Sequence, residues 1–233
     1  MGLVTRADDL ATNLAAVRRR IADACAAAGR SPDDVSLVVV TKFFPASDVR
    51  ALADLGVTDV GENRHQEASD KAAECADLGL RWHFIGALQS NKAAAVASYA
   101  DVVESVDRSK LVGALDRGAG ERTVDVLLQV SLDPPGSDHR AGADPATLAD
   151  LGAAVEAAEH LRLRGLMAVA PLGEDPAEAF ARLADIRAGF LGDHPRATAL
   201  SAGMSGDLEQ AIARGATHVR VGSAVLGERP AVK

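Results

Sequence analysis

Eight short β-rich runs, separated by stretches of helical character, constrain the fold of this chain more than any other feature. The runs are 36–41 (SLVVVT), 58–61 (TDVG), 82–86 (WHFIG), 102–106 (VVESV), 124–131 (VDVLLQVS), 163–170 (LRGLMAVA), 198–201 (TALS) and 218–222 (HVRVG). Between them lie Ala-, Leu- and charge-rich segments at 46–55, 64–77, 89–98, 108–117, 145–159, 176–191 and 205–214. Strands that alternate with helices form βαβ units and lie in a parallel sheet. Eight such units in 233 residues predict an α/β fold, a (β/α)8 TIM barrel. A doubly wound open sheet shows the same alternation, and counting does not separate the two. One extra helix precedes the first strand: Leu10, Leu14, Val17 and Ile21 recur at helical spacing, and Gly29 supplies the stop. No linker, low-complexity tract or shift in composition divides the chain, so 1–233 reads as one domain.

Only 3% of the residues are aromatic although 48% are hydrophobic, so the core must be built from Ala, Val and Leu. The net charge of −8 argues against a nucleic-acid partner, which needs a basic face, and against an anionic membrane surface. No apolar stretch is long enough to span a bilayer. The opening MGLVTRADDL turns acidic where a signal peptide would continue apolar, so the expected compartment is the cytoplasm. Cys25 and Cys75 have no metal-ligand spacing and read as buried small hydrophobes.

In a barrel of this kind the chemistry sits on the loops after the strands. There the chain places Lys42, Glu62 and Asn63, the segment 86–92, Asp107, the loop 133–145, Pro171, SAGMSGD at 201–207 and GSAVLG at 222–227. Lys42, ending SLVVVTK, is either a reactive amine or a rim residue whose stem covers apolar surface. Met204, Ser205, Gly222 and Ser223 lie in the loops after strands seven and eight, the usual phosphate position of this fold. The alternative is that Ser205 caps a helix and the glycines serve turns. Arg220, flanked by Val219 and Val221, faces the barrel interior, where it must pair with Glu62 or with a ligand acceptor. His83 also points inward, as a satisfied core histidine or as a ligand contact. Ser90 and Asp107 are candidate helix caps, Lys92 is near the mouth or solvated, and the charges along 64–77 read as a solvated helix face. Neither a Ser-His-Asp order, an HExxH motif, a P-loop nor a GxGxxG turn is present.

Strands one and eight adjoin when a barrel closes, which brings Lys42 beside the phosphate-type loops. A phosphate-anchored aldehyde could form an imine there, as expected of pyridoxal 5′-phosphate (PLP) or of a Schiff-base aldolase. Phe43 and Phe44 would desolvate the amine and favour its nucleophilic form. The motifs VTKFFP, GENRHQEASDK, WHFIGALQSNK, RGLMAVAP and LSAGMSGDLEQAIARGATHVRVGSAVLGER cover the chain nearly end to end. On them the chain resembles the pyridoxal phosphate homeostasis protein family, whose fold is that of the alanine racemase N-terminal domain.

The resemblance implies that Lys42 holds PLP as an imine. It implies that Ser201, Met204, Ser205, Gly222 and Ser223 surround the phosphate, that Asn63 and His83 border the ring, and that Arg220 faces the pyridine nitrogen. An arginine there disfavours protonation of the ring and weakens it as an electron sink. Racemases of this fold also use a tyrosine from a second domain, whereas the lone Tyr99 here sits in a helical segment. One departure stands in the loop after strand five, where Arg140 replaces the family's usual lysine and cannot form an imine. The expected function is intracellular vitamin B6 and amino-acid homeostasis, as a carrier or buffer of PLP without turnover. Apo-forms of PLP-dependent enzymes are candidate recipients, and the chain is expected to be a monomer. The alternatives are a fold-type III PLP enzyme with weak amino-acid racemase activity, a PLP-free aldolase and an interaction protein with a vestigial site.

Overall fold

Runs of branched residues bounded by turn residues form the strands β1 (Ser36–Val40), β2 (Asp59–Glu62), β3 (Arg81–Phe84) and β4 (Val102–Val106). The series continues with β5 (Val124–Gln129), β6 (Leu161–Met167), β7 (Ala199–Ser201) and β8 (His218–Val221). All pair in parallel in sequence order, and β8 returns to β1 to close a barrel. The open sheet is thereby excluded and the (β/α)8 barrel stands. The computed structural model describes residues 5–133 and 141–228. Arg140, in the loop after β5, lies outside the described residues.

The helices are α1 (Arg6–Ala27), α2 (Ala46–Asp54), α3 (His65–Glu74), α4 (Ser90–Ala97), α5 (Ser109–Ala119), α6 (Leu148–Glu156), α7 (Pro176–Asp193), α8 (Leu208–Ala213) and α9 (Ser223–Leu226). Helix α1 is the extra N-terminal helix. Its stripe of Leu10, Leu14, Val17 and Ile21 packs in one apolar cluster with Val39, Leu208, Ile212, Val219 and Val221, outside the β8–β1 seam. The larger cluster fills the space between the remaining strands and helices mainly with Ala, Val and Leu. Cys25 and Cys75 are free and fully buried in the wall, and burial pushes both thiols up, so they act as small apolar side chains.

Four local expectations need correction. Ser90 is the first residue of α4, behind Gln89 at the N-cap, and caps no helix. Asp107 caps no helix: α5 begins two residues later, with Arg108 at its N-cap and no side-chain cap bond. Ser205 does not cap the helix that follows it, because α8 begins after Asp207, whose carboxylate accepts from the Met204 amide at 2.5 Å; the Ser205 hydroxyl instead accepts from the Ala224 amide, in the first turn of α9, at 3.4 Å. The charged face at 64–77 is not wholly solvated, since Lys71 is only 6% exposed. Its ammonium turns inward because two carboxylates meet it there, as described below.

Candidate functional site

The period-2 alternation of β1 directs side chains to opposite sides of the barrel wall. Val39 and Thr41 turn outward, whereas Val40 and Lys42 line a cavity of 320 Å³ at the C-terminal mouth. That volume lies within the ~300–1,000 Å³ usual for small-molecule sites. Met204 and Ser205 line the same cavity from the loop after β7, Gly222 and Ser223 from the end of β8, and Arg220 from β8 itself. Ser223 Oγ donates to Ser205 Oγ at 3.3 Å, so the two loops meet. A methyl group on Gly222 would come within 3.2 Å of the Val40 carbonyl oxygen, so glycine lets the strands close tightly at the mouth.

Three predicted residues, Asn63, His83 and Ser201, are absent from the cavity wall. Asn63 follows β2 on the same rim, and its buried Oδ1 has no hydrogen-bond partner among the described residues. Ser201 and His83 lie beneath the cavity in a chain of polar groups through the barrel interior. Arg220, buried, donates to Ser201 Oγ at 2.6 Å and to the Ala168 carbonyl at 2.9 Å. Ser201 Oγ donates to Glu104 at 2.6 Å, and the other oxygen of Glu104 lies 2.7 Å from His83 Nδ1. His83 Nε2 meets Asp59 at 2.9 Å. Arg220 therefore pairs with Glu104, 3.8 Å away, and not with Glu62, which projects from the outward side of β2.

The electrostatics follow from this chain. Burial alone would lower the His83 value, but the hydrogen bonds to Asp59 and Glu104 outweigh it and raise it, which favours an imidazolium donating from both nitrogens. Burial opposes the Glu104 charge too, yet His83, Arg220 and Ser201 hold its carboxyl at about 2. Burial lowers the Arg220 value against the pull of Glu104 and Asp207; a guanidinium remains charged regardless.

On the outward side of the wall a second cluster backs Lys42. Lys71 Nζ, from α3, donates to the Thr41 carbonyl at 2.8 Å and to Glu62 and Glu67 at 2.7 Å each. Thr41 Oγ1 donates to Glu62 at 2.6 Å, and the Phe43 amide donates to Glu67 at 2.5 Å. Phe43 has φ +72°, the one non-glycine residue among those described with a positive φ. For a bulky side chain that conformation costs about 1–3 kcal/mol and persists only where its surroundings enforce it.

Glu104, Asp59 and Lys71 escaped the sequence reading. An acid inside VVESV, a run short enough to be wholly buried, was the available signal for Glu104, because a buried charge needs a partner. For Lys71 the signal was Glu67, four residues earlier on the same helix face.

The sequence matches the family described as alanine racemase, N-terminal domain, over residues 12–230. The pyridoxal phosphate homeostasis protein of Mycobacterium bovis is 46% identical over 246 residues, covering 96% of this chain and 94% of that protein. The protein of the same name from Escherichia coli K12 is 41% identical over 230 residues, covering 95% and 97%. Among solved structures, PipY of Synechococcus elongatus PCC7942 with PLP bound superposes with a TM-score of 0.80 at 39% identity, covering 94% of this chain and all of that one. A closed eight-stranded barrel, Lys42 in one cavity with the loops after β7 and β8, and identity sustained over almost the whole length lead to one conclusion: the chain belongs to the pyridoxal phosphate homeostasis protein family, built on the alanine racemase N-terminal fold.

Proposed function

We propose that this chain binds PLP in the mouth cavity, with Lys42 as its covalent anchor, and acts as a carrier or buffer of the cofactor in vitamin B6 and amino-acid homeostasis. The observation that carries this reading is that Lys42, the two serine-bearing loops and Arg220 line one cavity. The residues fit the group: Gly222 leaves room for close approach to the backbone, two hydroxyls stand 3.3 Å apart, and Asn63 Oδ1 is buried without a partner among the described residues. PLP supplies an aldehyde that a primary amine converts to a C=N link, with release of one water. Lys42 provides that amine. Ser205, Ser223 and the backbone at Met204 and Gly222 bind the phosphate, while Asn63 borders the ring. Arg220, fixed from behind by Ser201 and Glu104, would face the ring nitrogen and disfavour a proton there. His83 and Ser201 act as supports of Arg220.

Holding rather than turning over is favoured by the cavity wall. Its titratable side chains among the described residues are Lys42 and Arg220. Proton transfer to both faces of a substrate needs a second acid–base group opposite Lys42. The carrier would work in the cytoplasm as a monomer and pass PLP to apo-enzymes. Borohydride reduction of the PLP-loaded protein, followed by peptide mapping, tests the reading. The label is expected on Lys42, and Lys42→Ala is expected to lose the absorbance of the C=N link. A label on another lysine, or a protein that PLP leaves colourless, overturns it.

A further inference from the structure

We infer that Lys71, with Glu67, is the positioning residue of the anchor: together they clamp the backbone on both sides of Lys42 and so set the direction of its amine. The inference rests on the PLP reading for its purpose, but its geometry stands in the protein alone. Lys42 lines the cavity from the turn between Thr41 and Phe43, so the backbone of those two residues sets where its stem leaves the wall. Lys71 Nζ donates to the Thr41 carbonyl at 2.8 Å, and Glu67, held by the same ammonium at 2.7 Å, accepts from the Phe43 amide at 2.5 Å. Glu62 completes the cluster by binding both Lys71 and the Thr41 hydroxyl through one oxygen.

Two further observations point the same way. A lysine buried to 6% exposure is rare unless its charge is matched, and here two carboxylates match it while a backbone carbonyl takes a third donor. Phe43, the residue after the anchor, is held at φ +72°, a conformation that a bulky side chain leaves unless something holds it. The amide bond to Glu67 holds it, together with the Phe44 amide, which donates to the Thr41 carbonyl at 3.1 Å and closes the same turn. A turn free to relax would swing Lys42 away from the loops that bind phosphate. The clamp thus affects capture by the amine and leaves the phosphate loops untouched, since none of its residues lines the cavity.

That difference supplies the test. Pyridoxine 5′-phosphate carries an alcohol in place of the aldehyde, so it reports the phosphate and ring contacts without the covalent link. Glu67→Ala is the main variant, because it leaves Lys71 paired with Glu62. Lys71→Met, which strands Glu62, is the second. The expected result is covalent PLP capture weakened by about tenfold or more, the scale on which supporting contacts tune a site, with pyridoxine 5′-phosphate binding within about twofold of the parent. In the ligand-free protein the Phe43 amide should exchange with solvent at least about tenfold faster in Glu67→Ala, since one hydrogen bond no longer protects it. Equal losses for both ligands, or unchanged PLP capture with unchanged Phe43 exchange, overturn the clamp. Should Lys71→Met fail to fold, Glu67→Ala decides alone. Should the parent protein fail to capture PLP, the functional reading falls and Phe43 exchange still decides the clamp.

Discussion

His83 sits where one residue holds two charges apart. Its nitrogens lie 2.7 Å from Glu104 and 2.9 Å from Asp59; Glu104 is also met by Ser201 and Arg220, and Asp59 by Thr58, but His83 is the cation that both carboxylates share. Removing one partner of a buried pair leaves an uncompensated charge, which costs about 3–5 kcal/mol, far more than the pair itself contributes over an apolar replacement. His83→Leu should therefore lower unfolding free energy by about 3 kcal/mol or more in urea titrations. A loss below ~1 kcal/mol would mean that water or a rearranged Arg220 takes over. The sequence showed His83 as inward-facing and as a candidate core histidine, because its neighbours Trp82 and Phe84 alternate with it. Its acid partners were not legible, for a physical reason. Asp59 and Glu104 lie 24 and 21 residues away and meet His83 only through the lateral register of β2, β3 and β4. Local alternation tells which wall face a residue takes, not which layer of the barrel it enters. The place of Lys42 at the mouth was legible for the opposite reason, since it follows closely after a strand and strand ends form the mouth.

At the scale of elements, the added helix α1 is part of the site's frame. Arg6 donates to the Leu226 carbonyl at 3.1 Å and Asn13 to the Val225 carbonyl at 3.1 Å, which fasten α9. Arg20 donates to the Ser205 carbonyl at 3.0 Å and pairs with Glu209, which fastens the loop after β7. The stripe of leucine and valine announced α1 in the sequence; its polar bonds to residues some 200 positions away did not appear there. The eight runs located the strands within a few residues, because each is short, branched and flanked by turn residues. Gly165 shows what such patterns hide. It lies inside β6 at φ +155°, and a methyl group there would come within 1.8 Å of the Ala199 carbonyl oxygen. The β5–β6 register also shifts between Val126 and Leu127, opposite this point. Glycine thus permits β7 to approach β6 closely at the base of the Ser201 strand. Gly165→Ala must push apart two backbones, not a flexible side chain, and should cost about 3 kcal/mol or more. Circular dichroism melts and soluble yield check this, and a variant as stable as the parent would show that the strand can shift to make room.

Across the whole molecule, the barrel interior carries a balanced line of charge from Asp59 near one end to Arg220 at the cavity floor, and stability must follow its titration. Glu104 is held at about 2, below its ordinary 4.5, so its contribution is fully present above pH 4.5 and is lost as pH falls through about 2. His83 is raised, so its contribution is fully present below 6.5 and is lost as pH rises through its folded value. His218, 6.4 Å from His83 between ring centres, is lowered chiefly by burial and acts oppositely, losing stability as pH falls below 6.5. The two histidines therefore oppose each other around neutrality, and Glu104 contributes to the acid limb. A carboxyl held at about 2 instead of 4.5 corresponds to on the order of 3 kcal/mol of folding free energy. Exposed carboxylates also titrate on that limb, so a single curve does not isolate Glu104, whereas the difference between parent and Glu104→Gln does. That difference should be on the order of 3 kcal/mol at pH 6 and shrink steadily as pH falls from 4.5 towards 2, where the parent carboxyl also takes a proton. Urea unfolding of both proteins at several pH values measures it. A gap that stays constant down to pH 2 would mean that Glu104→Gln acts through packing, and that the charge on Glu104 does not anchor Arg220.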